Sequence, residues 1–135
     1  MRILRIISIF VAAAGLVLAG TSVASADGEP EAVLHLTWSA PEVSLQVFSA
    51  TVTCSPDSGL EEQYMDPGPV CAEIAQANGD FDALPGWQFV DCTGYSGWKI
   101  RTTATGYAFG KTVNYDKLWP NICEARRGTG WVFDW

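Results

Sequence analysis

Along this chain, segments in which hydrophobic and polar residues alternate are separated by stretches rich in glycine and proline. The run Val33-Leu34-His35-Leu36-Thr37-Trp38 reads as a strand closed by Ser39-Ala40-Pro41. A second strand is expected over Val43 to Cys54. There Leu45, Val47, Ser49, Thr51 and Thr53 alternate with Gln46, Phe48, Ala50 and Val52, and both faces carry apolar residues. Ser55 to Pro69, with Pro56, Gly59, Pro67, Gly68 and Pro69, reads as an irregular loop. Val70, Cys71, Ile74 and Ala75 then recur at helical spacing. Glu73 lies near the positive start of that helix, and Asn78-Gly79 supplies its stop.

Beyond the helix, strand patterns return at Trp87 to Asp91, Lys99 to Thr105 and Ala108 to Tyr115. Gly106-Tyr107 is expected to connect the last two, with a bulge at Gly110. Pro120 is expected to open a short helix through Cys123 to Arg126, ended by Gly128, and Trp131 to Trp135 reads as a final strand. These elements predict an α+β sandwich of one antiparallel sheet and two helices.

The amino terminus has a different character. Arg2 and Arg5 precede an apolar stretch from Ile6 to Ala19, and the small-residue sequence Ala24-Ser25-Ala26 follows before Asp27. This is the three-part pattern of an export signal cut after Ala26, which makes residues 1–26 a signal peptide and 27–135 the mature domain, beginning with an acidic tail over Asp27 to Glu31. The apolar stretch falls short of the ~20 residues that cross a bilayer, so a secreted, extracellular product is expected. Removing both arginines leaves 8 − 2 = 6 Lys+Arg against 15 Asp+Glu, a formal charge of −9. Such a surface repels phosphate backbones and anionic headgroups, which disfavours nucleic-acid and membrane partners.

Export also changes how the cysteines are read. Four cysteines in a small extracellular chain point to disulfides, and the positions of Cys54, Cys71, Cys92 and Cys123 contain no C-x-x-C metal knuckle. Three pairings exist on paper. Joining neighbours, Cys54 to Cys71 and Cys92 to Cys123, closes two independent loops worth about 3 to 4 kcal/mol each in the chain-entropy model.

Catalytic constellations lack parts. The single histidine, His35, sits mid-strand and no G-x-S-x-G elbow accompanies it, so a serine triad is not expected. Asp80 and Asp82 lack the later ligands of a calcium loop and read as part of a helix-terminating turn. The number of acids alone leaves room for a carboxylate pair as in a small glycosidase, and the six tryptophans could form a sugar platform, although core packing is their expected use. No metal site is expected from these spacings, and no catalytic constellation is complete.

Several local words carry a resemblance. They are Val52-Thr53-Cys54, Cys71-Ala72-Glu73 and Gly79-Asp80-Phe81-Asp82-Ala83-Leu84, then Gly110-Lys111-Thr112-Val113-Asn114-Tyr115, Asn121-Ile122-Cys123 and the ending Val132-Phe133-Asp134-Trp135. In this order, with four cysteines and an export signal, the chain resembles the Streptomyces subtilisin inhibitor-like proteins, small secreted inhibitors of serine proteases. The resemblance implies a five-stranded antiparallel sheet with two helices, and disulfides joining first to second and third to fourth cysteine. It also implies a protein that is not an enzyme, with no catalytic residue and no cofactor, a homodimer, and an exposed inhibitory loop starting at the third cysteine.

That loop would be Cys92-Thr93-Gly94-Tyr95-Ser96-Gly97-Trp98. Counted forward from Cys92, the residue presented to the protease specificity pocket would be Gly94. Counted backward from Cys123, it would be Tyr95. The Tyr-Asp-Pro sequence common after the scissile bond is replaced by Ser96-Gly97-Trp98. The expected reactive bond is Tyr95-Ser96, with Gly94-Tyr95 as the other register, because a buried tyrosine ring contributes roughly 2 kcal/mol or more to an interface and glycine buries no side chain. Subtilisin- or chymotrypsin-like serine endopeptidases are then the expected partners. The alternative is a degenerate member that inhibits nothing and acts as a secreted protein-binding module.

Overall fold

The structure is a computed structural model and describes residues 30–55 and 67–135. The expected export signal at 1–26, and residues 56–66 of the expected Ser55 to Pro69 loop, lie outside the described residues.

Among the described residues, four strands form one antiparallel sheet: β1 (Ala32–Ser39), β2 (Val47–Cys54), β3 (Ile100–Ala108) and β4 (Lys111–Trp119), in the order β2-β1-β3-β4. Two helices accompany it, α1 (Pro67–Gln76) and α2 (Ile122–Thr129), with 3-10 turns at Phe81–Ala83 and Gly130–Phe133. The α+β class, the antiparallel sheet and both helices match expectation; the described residues form four strands rather than the expected five.

The alternation read in the sequence sorts each strand. Leu34, Leu36, Val52, Thr102, Ala104, Val113 and Tyr115 point to one face and are buried. Val70 and Ile74 of α1 join them in the core, with Phe81, Val132 and Phe133. His35, Thr51, Thr105 and Asn114 lie exposed on the other face. Cross-strand register places His35 between Thr51 and Thr105, so this histidine is an ordinary outward strand position. Burial pushes the Tyr115 phenol up to about 12.

Five expectations about these elements are corrected. Trp87 to Asp91 is not a strand: the Trp87 amide donates to the Arg127 carbonyl at 3.1 Å and the Val90 amide to the Trp87 carbonyl at 3.0 Å, so this segment turns alongside α2. Trp131 to Trp135 is not a strand either: Gly130–Phe133 forms a 3-10 turn, which buries neighbouring Val132 and Phe133. The second strand begins at Val47 rather than Val43. The β3–β4 hairpin turns at Phe109-Gly110, both at positive φ, instead of at Gly106-Tyr107. Gly106 stays within β3, where a β-carbon would stand 2.2 Å from the Val33 carbonyl oxygen of the neighbouring strand. Gly110 is therefore a turn residue and not a bulge.

The expected stop after α1 does occur, with Asn78 at φ 51 and Gly79 at φ 74. Asp80 then caps the following 3-10 turn by accepting from the Asp82 amide at 3.0 Å. The helix expected from Pro120 to Gly128 begins at Ile122, capped by Asn121, and runs through Gly128 to a Gly130 C-cap at φ 55. The backbone carbonyl of Glu31, a residue expected in the acidic tail, accepts from the Phe109 amide at 2.7 Å and so anchors the entry to β1.

Candidate functional site

The disulfides are Cys54–Cys71 and Cys92–Cys123. The second one positions the candidate loop. Asn121 is buried, and its Oδ1 accepts from the Glu124 amide at 3.0 Å, which fixes the first turn of α2 and with it Cys123. Cys92 is thereby held against that helix start, itself buried, while every residue from Thr93 to Lys99 is exposed. Ile100 is buried again as β3 begins. Seven exposed residues thus stand between two buried anchors.

The conformation of the loop follows from local chemistry. Asp91 Oδ1 accepts from the Thr93 amide at 2.8 Å, and the Tyr95 amide donates to the Cys92 carbonyl at 3.0 Å. These bonds close a tight turn over Cys92-Thr93-Gly94-Tyr95 whose third residue, Gly94, has φ 73. A left-handed third residue is type II geometry, and it favours glycine. From Tyr95 to Lys99 no residue has positive φ. Bonds from the Thr93 side chain and amide hold the Asp91 carboxyl below the usual range.

The far end of the loop is held by charge. Lys99 Nζ lies 2.9 Å from Glu42 Oε1, and the Lys99 amide lies 3.4 Å from Glu42 Oε2. The same lysine holds the Glu42 carboxyl below its ordinary value. Glu42 sits in the turn between β1 and β2, so two distant connections are tied together at the rim of the sheet. Between the anchors, the Tyr95 ring lies back over Gly97 and Asn121 lies beneath the same glycine: a β-carbon built at 97 would stand 3.3 Å from Tyr95 Cε1 and 3.6 Å from Asn121 Cβ. Tyr95 and Trp98 nevertheless remain 48% and 62% exposed, a large apolar surface on a thin loop.

Cys92, Thr93, Gly94, Tyr95, Ser96 and Gly97 are therefore all in one projecting segment. The supports at Glu42, Asp91 and Asn121 were not among the expected site residues. Glu42 pairs across 57 positions of sequence and leaves no local signal. Asp91 and Asn121 each precede the backbone amide that they cap by two or three residues, which is a readable signature.

For enzymatic chemistry the arrangement offers little. Among the described residues no three His, Cys, Asp or Glu side chains converge on a metal position, and His35 stands alone on the open face of the sheet. Among the same residues no helix is long and apolar enough to cross a membrane.

The family model for subtilisin inhibitor-like proteins matches residues 30–121, which takes in the sheet and the projecting loop. Subtilisin inhibitor-like protein 2 of Streptomyces rochei is 32% identical over 85 residues, covering 63% of this chain and 73% of that protein. Protease inhibitor SIL-V5 of Streptomyces luteoverticillatus is 32% identical over 90 residues, 64% of this chain and 78% of the relative. Protease inhibitor SIL-V2 of Streptomyces orinoci is 34% identical over 88 residues, 63% and 76%. With an α+β fold, two disulfides and a match over most of its length, the chain belongs to the subtilisin inhibitor-like family, whose members are inhibitors and not enzymes.

Proposed function

We propose that this protein is a secreted inhibitor of subtilisin- or chymotrypsin-like serine endopeptidases, acting through the loop from Cys92 to Trp98 with Tyr95-Ser96 as the bond offered for cleavage. The observation that carries the reading is the loop itself: six exposed residues, Thr93 to Trp98, held between the Cys92–Cys123 disulfide and the Glu42–Lys99 ion pair. A serine protease takes its substrate as an extended strand against its cleft. Gly94 is left-handed and cannot be that strand, whereas Tyr95 opens the stretch without positive φ, which favours the Tyr95 register. Its aromatic ring fits the large apolar specificity pockets of subtilisin and chymotrypsin and not the cation-selecting pocket of trypsin.

The mechanism follows from the two anchors. A loop already fixed in shape loses little entropy on docking, so it binds far better than a free peptide of the same sequence. When the protease serine attacks the Tyr95 carbonyl, the Ser96 amine becomes the leaving group. The acyl side stays tied to α2 through Cys92, and the amine side stays tied to β3 and Glu42 through Lys99. The amine is thus kept beside the acyl group, and rejoining outcompetes hydrolysis.

The reading is tested by titrating subtilisin, chymotrypsin and trypsin with purified residues 27–135. Stoichiometric inhibition of the first two, with trypsin unaffected, is expected. No inhibition of any of the three leaves the protein-binding module without inhibitory activity as the remaining account.

A further inference from the structure

We infer that Trp87, Phe89 and Trp131 form a second contact surface for the same protease that the loop engages, an inference that rests on the inhibitory reading of the loop. The three rings form one cluster: Trp87 meets Trp131 edge to face at 5.2 Å, and Phe89 lies nearly parallel to Trp87 at 6.3 Å. Phe89 is 84% exposed and Trp131 48%, so the cluster adds little to the core. Single exposed apolar residues are ordinary, but grouped aromatic rings on a surface mark interaction sites, and aromatic anchors dominate interface energies.

The backbone under the cluster is fixed. The Trp87 amide donates to the Arg127 carbonyl at 3.1 Å, and the Trp131 amide donates to Glu73 Oε2 at 2.8 Å. A surface held this way loses little freedom on docking.

Position selects the occupant. Residues 87–92 run beside α2, with Trp87 bonded to Arg127 near its carboxyl end and Cys92 bridged to Cys123 in its first turn. Arg127 follows Cys123 by four residues, about 6 Å of helical rise, so this aromatic ridge begins close to the anchor of the loop. A stable complex takes about 800 Å² from each partner, a patch roughly 30 Å across if circular, and a loop of seven residues fills only its centre. The ridge falls within that footprint, on the chain that enters the loop ahead of Tyr95. Its counterpart is an apolar surface of the protease beside the part of the cleft that receives residues preceding the scissile bond.

The test compares inhibition of subtilisin by the wild-type chain and by Phe89→Ser, Tyr95→Gly and Thr112→Ala. Thr112 is exposed on β4 opposite Tyr107, eight residues along the strand from Lys99 and so about 26 Å from the foot of the loop, and serves as the surface control. Phe89→Ser is expected to weaken inhibition at least fivefold with unchanged thermal unfolding, since its ring lies outside the core, while Thr112→Ala changes inhibition less than twofold. A loss below fivefold for Phe89→Ser, or an equal loss for Thr112→Ala, overturns the second contact and leaves the loop reading standing. Loss with Phe89→Ser but none with Tyr95→Gly overturns the loop reading instead. A wild-type chain that leaves subtilisin fully active overturns both.

Discussion

The Tyr95 ring rests on Gly97, close enough that a β-carbon at 97 would stand 3.3 Å from Cε1. An exposed ring is free to yield by the few tenths of an ångström that an added methyl requires. Gly97→Ala is therefore expected to shift the Tyr95 ring resonances while leaving the melting temperature within about 3 °C of the parent. A larger drop in melting temperature would mean that the backbone at 97 depends on the absence of a side chain.

The two ends of the loop respond to acid in the same direction. Glu42 and Asp91 both have carboxyl pKa values lowered in the fold, from ordinary values of 4.5 and 3.8, by their bonds to Lys99 and Thr93. Their contributions are present above those ordinary values and are lost as pH falls through the lower values of the folded protein. Amide exchange at Thr93 and Lys99 should therefore accelerate, relative to the amides of β3, as pH is lowered from about 5 to 2, after correction for intrinsic rates. Because the Glu42–Lys99 pair is exposed, 1 M salt should loosen Lys99 at neutral pH as well.

Both disulfides contribute to stability, and only one serves the loop. The chain-entropy model assigns each about 3 to 4 kcal/mol for closures of 17 and 31 residues, so replacing either pair by serines should lower stability comparably in denaturant titrations. Removing Cys92–Cys123 should in addition turn the inhibitor into a substrate that the protease cuts to completion, whereas removing Cys54–Cys71 should leave inhibition intact at temperatures where the fold persists.

Trp119 and Gly128 meet without room for a methyl group. A β-carbon at 128 would stand 2.2 Å from Trp119 Cη2, and the indole is fixed because its Nε1 donates to Thr102 Oγ1 at 2.9 Å. Gly128→Ala is expected to cost about 1 to 3 kcal/mol through overpacking, read as a lower denaturant midpoint. An unchanged midpoint would show that α2 shifts away from the indole freely.

Much of this fold was readable from periodicity, and the failures share a cause. β1, β3, β4 and both helices carry patterns that local chemistry enforces, such as Leu34 and Leu36 turned inward or Asn78-Gly79 ending α1. The segments at 87–91 and 131–135 are equally apolar, but their aromatic residues pack on α2, on the 3-10 turn and on one another, which no short-range rhythm encodes. The same holds for the site. Cys92 announces the staple and Gly94 the turn, while the Glu42–Lys99 clamp depends on tertiary structure that brings the β1–β2 turn to the foot of the loop.

Side-chain substitution separates the two registers energetically. If Tyr95 fills the specificity pocket, Tyr95→Gly should weaken inhibition of subtilisin at least about tenfold, equivalent to 1.4 kcal/mol, and Tyr95→Lys should move preference toward trypsin. Gly94→Ala tests the turn independently, because at φ 73 an added methyl meets no neighbour within 4 Å and acts only through backbone strain. A loss of about 1 kcal/mol in stability is expected there.

The most direct test of the central claim is to hold the complex with subtilisin at low pH, where slow cleavage accumulates, and to sequence the new amino terminus. A terminus at Ser96 is the expected result. A terminus at Tyr95 would contradict the register, and an uncut loop together with an uninhibited enzyme would contradict the inhibitory reading as a whole.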